Sequence, residues 1–157
     1  MGYQAAERLR AAGHTVVGVD LRDAEVIADL STASGRATAA QGVLEAAEGG
    51  RLAGAVLAAG IGPTPGADRS GLIFQINYFG VVDLLEAWRP ALAAAKNAKV
   101  VVVGSNSTTT TPAVPRRAVR ALLAGDPETA RRAARLFGPA APALADYIAT
   151  RWSPPET

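Results

Sequence analysis

The sequence predicts an α/β fold in which parallel strands alternate with helices. Two observations carry that expectation. The runs 52–58 (Leu-Ala-Gly-Ala-Val-Leu-Ala) and 99–104 (Lys-Val-Val-Val-Val-Gly) are short and continuously apolar, as strands covered on both faces are. Between and around them lie longer Ala- and Leu-rich segments that end at Gly or Pro, as helices do. Buried strands in alternation with helices imply a parallel sheet with right-handed crossovers.

In chain order, residues 3–12 read as a helix that stops at Gly13, a C-cap. Residues 14–20 (His-Thr-Val-Val-Gly-Val-Asp) read as a buried strand ending in a carboxylate, and 25–28 as a minimal strand. Residues 34–48 have a helical pattern and stop at Gly49-Gly50. Pro63, Pro65 and Gly66 force a loop after the 52–58 strand. Residues 70–95 read as one long helix with a kink or a new first turn at Pro90. A polar loop, 105–111, follows the 99–104 strand and is closed by Pro112 and Pro115. Short helices are expected at 116–124 and 127–137, the second capped by Asp126 with Pro127 at its first position. Residues 147–152 start another helix that Pro154-Pro155 ends.

Composition narrows the function classes. The chain has 157 residues, one domain's worth, and its 49% apolar content is enough to bury a core. It has no cysteine, which excludes a disulfide framework and any cysteine zinc site and fits a reducing compartment. The single histidine, His14, excludes a multi-histidine metal centre. The net charge is +2. The arginines at 116, 117, 120, 131, 132 and 135 fall at helical spacing among Asp126 and Glu128, so they read as solvated helix faces, not as a nucleic-acid surface. No apolar run has the ~20 residues of a membrane span. A cytoplasmic protein without metal, nucleic acid or membrane as partner is the expectation.

Ligands of open parallel sheets bind at the carboxyl ends of the strands. That rule singles out Asp20, the turn Leu57-Ala58-Ala59-Gly60, and Ser105. Asp20 could accept both hydroxyls of a ribose, or simply be a solvated strand end; Arg22 nearby could instead pair with a phosphate. Asp29-Leu30 could contact an adenine or cap the next helix. The small residues Ala59 and Gly60 admit close backbone approach or merely a tight turn. Asn77, an unfavourable residue inside a helix, has either a specific role or a packing hydrogen bond. Ser105 could donate to a carbonyl or belong to ordinary turn chemistry. Tyr147 and Arg151 share a helical face, where a cation would favour phenolate, or they are an ordinary surface pair.

Taken in order, these residues resemble the short-chain dehydrogenase/reductase family, in its 3α-hydroxysteroid-dehydrogenase-like branch. Gly2, ahead of Tyr3-Gln4-Ala5-Ala6, is similar to the last glycine of the family's Thr-Gly-x-x-x-Gly-x-Gly loop. Asp20 matches the acid of NAD-preferring members, and Asp29-Leu30 the adenine-contacting pair. Leu57-Ala58-Ala59-Gly60 looks like a degenerate Asn-Asn-Ala-Gly turn. Asn77 matches the proton-relay asparagine, and Ser105 the carbonyl-orienting serine. Tyr147 stands as the acid–base in Tyr-Ile-Ala-Thr-Arg, where the family has Tyr-x-x-Ser/Thr-Lys, so Arg151 replaces a lysine.

The resemblance implies a Rossmann-like parallel sheet with flanking helices and NAD, less so NADP, as cofactor. It implies hydride transfer between an alcohol and a carbonyl on a small-molecule substrate. It also implies a partial dinucleotide-binding domain over residues 1–152, truncated at both ends, and an irregular tail over 153–157. The family's central first strand would lie between the 16–19 and 52–58 strands, so about three main strands are expected, either with a gap there or slid together. Exposed strand edges predict aggregation or pairing with a partner, a homo-oligomer included. The alternative is a non-catalytic remnant, a weak nucleotide-binding or interaction module.

Overall fold

The computed structural model describes residues 1–62, 69–105 and 116–135. They fall into two compact units. The first comprises Met1–Ala59 and Gly80–Val103, and the second Gly60–Phe79 with the described part of Gly104–Thr157.

Unit one holds all the described strands. Helix α1 (Gly2–Ala11) ends as the sequence predicts. Gly13 adopts φ +86°, its N–H bonds the Arg10 carbonyl (3.0 Å), and His14 N–H bonds the Leu9 carbonyl (3.0 Å). This is a Schellman cap, which only a glycine takes without strain. Strand β1 (Val19–Asp20) pairs in parallel with β2 (Val26–Ile27). Helix α2 (Ala33–Ala46) follows, then a 3₁₀ turn (Glu48–Gly50) and β3 (Gly54–Leu57). Helix α4 (Gly80–Ala94) leads to β4 (Lys99–Val102), which pairs in parallel with β3. The two pairs are separate two-stranded ladders with no hydrogen bond joining β1 to β3. Of the two arrangements expected, the structure takes the gap.

Several expectations are corrected. The 14–20 strand shrinks to two ladder residues, and His14 and Thr15 are exposed. A strand with a partner on one edge only has half its ladder to hold it. The 99–104 strand is not covered on both faces. Val101 is 51% and Val103 37% exposed, and Val56 on β3, paired with Val101, is 44% exposed. Apolar sequence here reports a face that the described residues leave uncovered.

The core of unit one lies between α2 and α4. Ala39 and Val43 of α2 are buried, as are Leu84, Leu85, Trp88 and Ala91 of α4. Trp88 donates its indole N–H to the Ala40 carbonyl (3.2 Å), as a buried indole requires. Gly42 lets α2 lie close on β2, because a Cβ there would stand 2.9 Å from Val26 Cγ1. Arg36 is the one charged residue buried in the described part of the chain. Its Nε donates to Asp83 Oδ2 at 2.6 Å and its Nη1 to the Leu30 carbonyl at 3.0 Å, tying α2 to α4 and to the segment after β2.

Glu25 makes a second tie. It accepts the Gly18 N–H (2.7 Å) and a donor of Arg10 (2.8 Å). The Gly18 amide first, with Arg10 adding, holds its carboxyl below the ordinary value. A depressed carboxylate contributes stability above its unfolded pKa, about 4.5, and loses it as pH falls through the lower folded value.

In the chain, residues 70–94 are not the single helix expected. Helix α3 (Ser70–Ile73) gives way to a π-helical segment (Phe74–Phe79) before α4. The irregularity lies there and not at Pro90, which sits inside α4. Pro90 and Glu86, whose carbonyl loses its partner, are both exposed, so water can serve that carbonyl.

Unit two packs α3 and the π segment with α5 (Arg116–Leu123) and α6 (Pro127–Arg135). Ile73, Phe74, Tyr78, Ala118, Leu122 and Ala130 are buried in it. Tyr78 donates its hydroxyl to the Leu122 carbonyl (3.1 Å). Asp126 caps α6 as expected, accepting the Thr129 N–H at 2.9 Å. Among the described residues no helix is long and apolar enough to cross a membrane.

Removing one partner of a buried pair costs more when the partner left behind cannot reach water. The Arg36 side chain is 7% exposed and that of Asp83 41%. Asp83→Ala, which takes the counter-charge from the guanidinium and leaves it the Leu30 carbonyl, is therefore expected to destabilise the chain by about 1–3 kcal/mol, and Arg36→Met by clearly less. Urea unfolding of both variants checks this, and equal costs would contradict it.

Candidate functional site

Asp20, the turn ending at Gly60, and Ser105 each stand at or just after the carboxyl end of a strand. Asp20 is the last residue of β1 and is exposed. Its Oδ1 accepts the Leu21 N–H (2.7 Å), which fixes the carboxylate at the strand end. Its other oxygen has no partner among the described residues. Arg22 is also exposed and two residues on.

Gly2 opens α1, and its Cα faces the turn after β3, since a Cβ built there would lie 3.6 Å from Ala58 Cβ. The fold thus brings Gly2 and the Ala58-Ala59 segment together within unit one. A helix start offers unpaired N–H groups and the positive end of the helix dipole. The arrangement is suited to an anion lying between the α1 N-terminus and the end of β3.

Asp29 and Leu30 lie between β2 and α2. Asp29 Oδ1 accepts the Ser31 N–H (2.9 Å), and Ser31, through its side chain first, lowers the carboxyl pKa. The cap of α2 is Thr32, whose Oγ1 accepts the Gly35 N–H (3.0 Å). Gly35 is required there, because a Cβ would collide with the Asp29 carbonyl. Asp29 is exposed and Leu30 half-buried.

In unit two, Gly60 and Asn77 form one local structure. Asn77 lies in the π segment and reaches the residue after Gly60 from both ends of its amide. Its Oδ1 accepts the Ile61 N–H and its Nδ2 donates to the Ile61 carbonyl, both at 3.0 Å. The amide substitutes for a strand partner and pins the backbone that leaves the turn. Ile61 acts through its main chain, so nothing in its side chain could have announced the role. Gly60 is exposed, and a Cβ there would meet Asn77 Oδ1 at an ordinary 3.5 Å. Its value is the open surface it leaves beside the clamp.

Ser105 follows β4 at its carboxyl end and is half-buried. Tyr147 and Arg151 lie outside the described residues. Among the described residues no cluster of His, Cys, Asp and Glu could hold a metal.

The clamp has a measurable consequence. Asn77→Leu keeps the size of the side chain and removes both bonds to the half-buried Ile61 backbone. It is expected to cost about 1–3 kcal/mol in urea unfolding and to speed amide exchange at Ile61. An unchanged exchange rate there would contradict the clamp.

No family model matches the chain. It is 47% identical over 106 residues to the 3-alpha-hydroxysteroid dehydrogenase/carbonyl reductase of Comamonas testosteroni, a match that takes in 66% of this chain and 40% of that protein. Its fold superimposes, with a TM-score of 0.80 and 40% identity, on the crystal structure of the 3-alpha-hydroxysteroid dehydrogenase from Pseudomonas sp. B-0831 complexed with NADH. That match takes in 95% of this chain and 58% of the other. The chain therefore spans less than two thirds of either relative. Strand-end acid, helix start against the β3 turn, amide-clamped turn and serine after β4 occur here on a backbone shared with these enzymes, and the chain belongs to the short-chain dehydrogenase/reductase family, in its 3α-hydroxysteroid-dehydrogenase-like branch.

Proposed function

We propose that this chain belongs to an NAD-dependent oxidoreductase of the short-chain dehydrogenase type, acting on a small alcohol or ketone. The observation that carries the reading is the Asp20 carboxylate at the end of β1, held by Leu21 and with one oxygen unengaged among the described residues. A carboxylate so placed accepts hydrogen bonds from the 2′- and 3′-hydroxyls of an adenosine ribose and repels a 2′-phosphate. Arg22 is the residue that would soften this preference toward NADP. The NADH bound to the Pseudomonas relative supports the same cofactor.

The residues present fit a dinucleotide. The α1 N-terminus at Gly2 would face the pyrophosphate, and the exposed Ala59 and Gly60 leave room for close approach to the ring system. Asp29 and Leu30 would border the adenine. Bound nicotinamide supplies the hydride donor or acceptor. Ser105 would hold the substrate oxygen by a hydrogen bond from its hydroxyl. Asn77 would act as a positioning residue, fixing the Gly60-Ile61 backbone. Tyr147 would give the alkoxide its proton, or take one from the alcohol. Arg151 would keep a positive charge beside it, although a guanidinium is bulkier than the family's lysine. A 3α-hydroxysteroid, named for both relatives, is the first substrate to try, and a cytoplasmic location is part of the reading.

A second reading, a nucleotide-binding module without turnover, is favoured by Arg151 in place of lysine. Calorimetric titration with NADH and NADPH tests the cofactor claim under either reading. Saturable binding with NADH preferred is expected. Asp20→Ala should cost about 10- to 100-fold in NADH affinity, the worth of about 1.5–3 kcal/mol of charged hydrogen bonding, and little in NADPH affinity. Binding of neither nucleotide, or equal losses for both, would overturn it.

A further inference from the structure

Arg36 is buried, and stability alone is a poor reason to bury a guanidinium. Apolar residues of similar volume often match or better a buried ion pair. What the arginine supplies is geometry. It stands near the start of α2, and its planar fork reaches two other elements at once. Nε donates to Asp83 Oδ2 on α4 (2.6 Å), and Nη1 donates to the Leu30 carbonyl (3.0 Å). The ion pair therefore ends on a main-chain atom of the turn between β2 and α2.

That turn is held at both peptides around Leu30. The Asp29 carbonyl accepts the Thr32 N–H and the Thr32 hydroxyl, both at 3.2 Å. Gly35 lies so close that a Cβ there would collide with the same carbonyl. In the next peptide the Ser31 N–H goes to the Asp29 carboxylate (2.9 Å) and the Leu30 carbonyl to Arg36. All of these ties are local except the one through Arg36, which sets the Leu30–Ser31 peptide relative to α4. Two neighbouring groups of the turn have no partner among the described residues: the second carboxylate oxygen of Asp29 and the Leu30 N–H. They are an acceptor and a donor. Adenine offers the complement, a 6-amino donor and the N1 acceptor. Hypoxanthine reverses both, with a carbonyl oxygen at C6 and a proton on N1.

We infer that Arg36, anchored by Asp83, is a positioning residue for base selection, fixing the Leu30 peptide so that the Asp29-Leu30 turn favours adenine over hypoxanthine. The inference rests on the cofactor reading, in which Asp29 and Leu30 border the adenine. It adds that the selection is set from α4, through a buried guanidinium, and not by the turn alone. Without the fork the local bonds of Thr32 and Ser31 remain, so the turn persists while the Leu30 carbonyl loses its hold. The loss is then one of selectivity between bases.

The test is calorimetric titration of the full chain with NADH and with reduced nicotinamide hypoxanthine dinucleotide, which differs from NADH only in the base. Arg36→Met, the milder way to break the ion pair, is compared with the unsubstituted chain. Arg36→Lys is the second variant. It keeps a positive charge for Asp83 but carries its donors on a single nitrogen, so it lacks the second arm of the fork. The unsubstituted chain is expected to prefer NADH. Each variant is expected to lose about fivefold of that preference, the net worth of about one hydrogen bond, with its affinity for the hypoxanthine dinucleotide unchanged. Equal losses for both nucleotides would make Arg36 merely structural and overturn the proposal. So would an undiminished preference for NADH in the variants, or no preference in the unsubstituted chain. Binding of neither nucleotide by the unsubstituted chain would overturn the cofactor reading and the base selection with it, a result seen before any variant is made.

Discussion

Backbone pairing is the constraint on which unit one depends. A strand inside a parallel sheet gives its N–H and C=O groups to neighbours on both edges, and among the described residues β1 and β3 each have a neighbour on one edge only. The short ladders go with that shortage, whereas the exposed Val56 and Val101 lie on a sheet face that the described residues leave uncovered. What holds the unit instead is contact away from the strands. The α2–α4 core, the Arg36–Asp83 ion pair and the Glu25 tie between Arg10 and Gly18 fix the helices and loops around the ladders.

The fold class was legible because its signal is local. Continuous apolar runs at 52–58 and 99–104 gave a parallel ladder, and the cap residues Gly13 and Asp126 performed the roles their chemistry suggests. The extent of the strands was less legible. The apolar residues of 14–20 and 99–104 report what the segment is suited to pair and pack with, and only the tertiary context decides how much of that is met. The π segment was invisible for a related reason. Phe74-Gln75-Ile76-Asn77-Tyr78-Phe79 has ordinary helical composition. Its irregularity coincides with Asn77, the one residue there that the sequence marked as out of place in a helix, and that reaches out to Ile61.

For the candidate site, the strand-end rule singled out Asp20, Gly60 and Ser105 from sequence, and the structure places each at or just after the carboxyl end of a strand. Asp20 is fixed by its own neighbour's amide, and its other oxygen has no partner among the described residues. Asn77 turns out to spend its side chain on the turn beside Gly60, which makes it a scaffold for that surface. Asp29 is engaged with Ser31 ahead of a helix capped by Thr32, so its position is set by local turn chemistry. Tyr147 and Arg151 rest on the resemblance, since they lie outside the described residues.

Whether the chain keeps the cofactor face proposed for it is decided by a backbone amide NMR titration with NADH. Saturable shifts concentrated at residues 2–4, at Asp20 and Leu21, and at 58–61 are expected. Shifts confined to α5 and α6, or no saturable shift at any of those positions, would contradict that proposal.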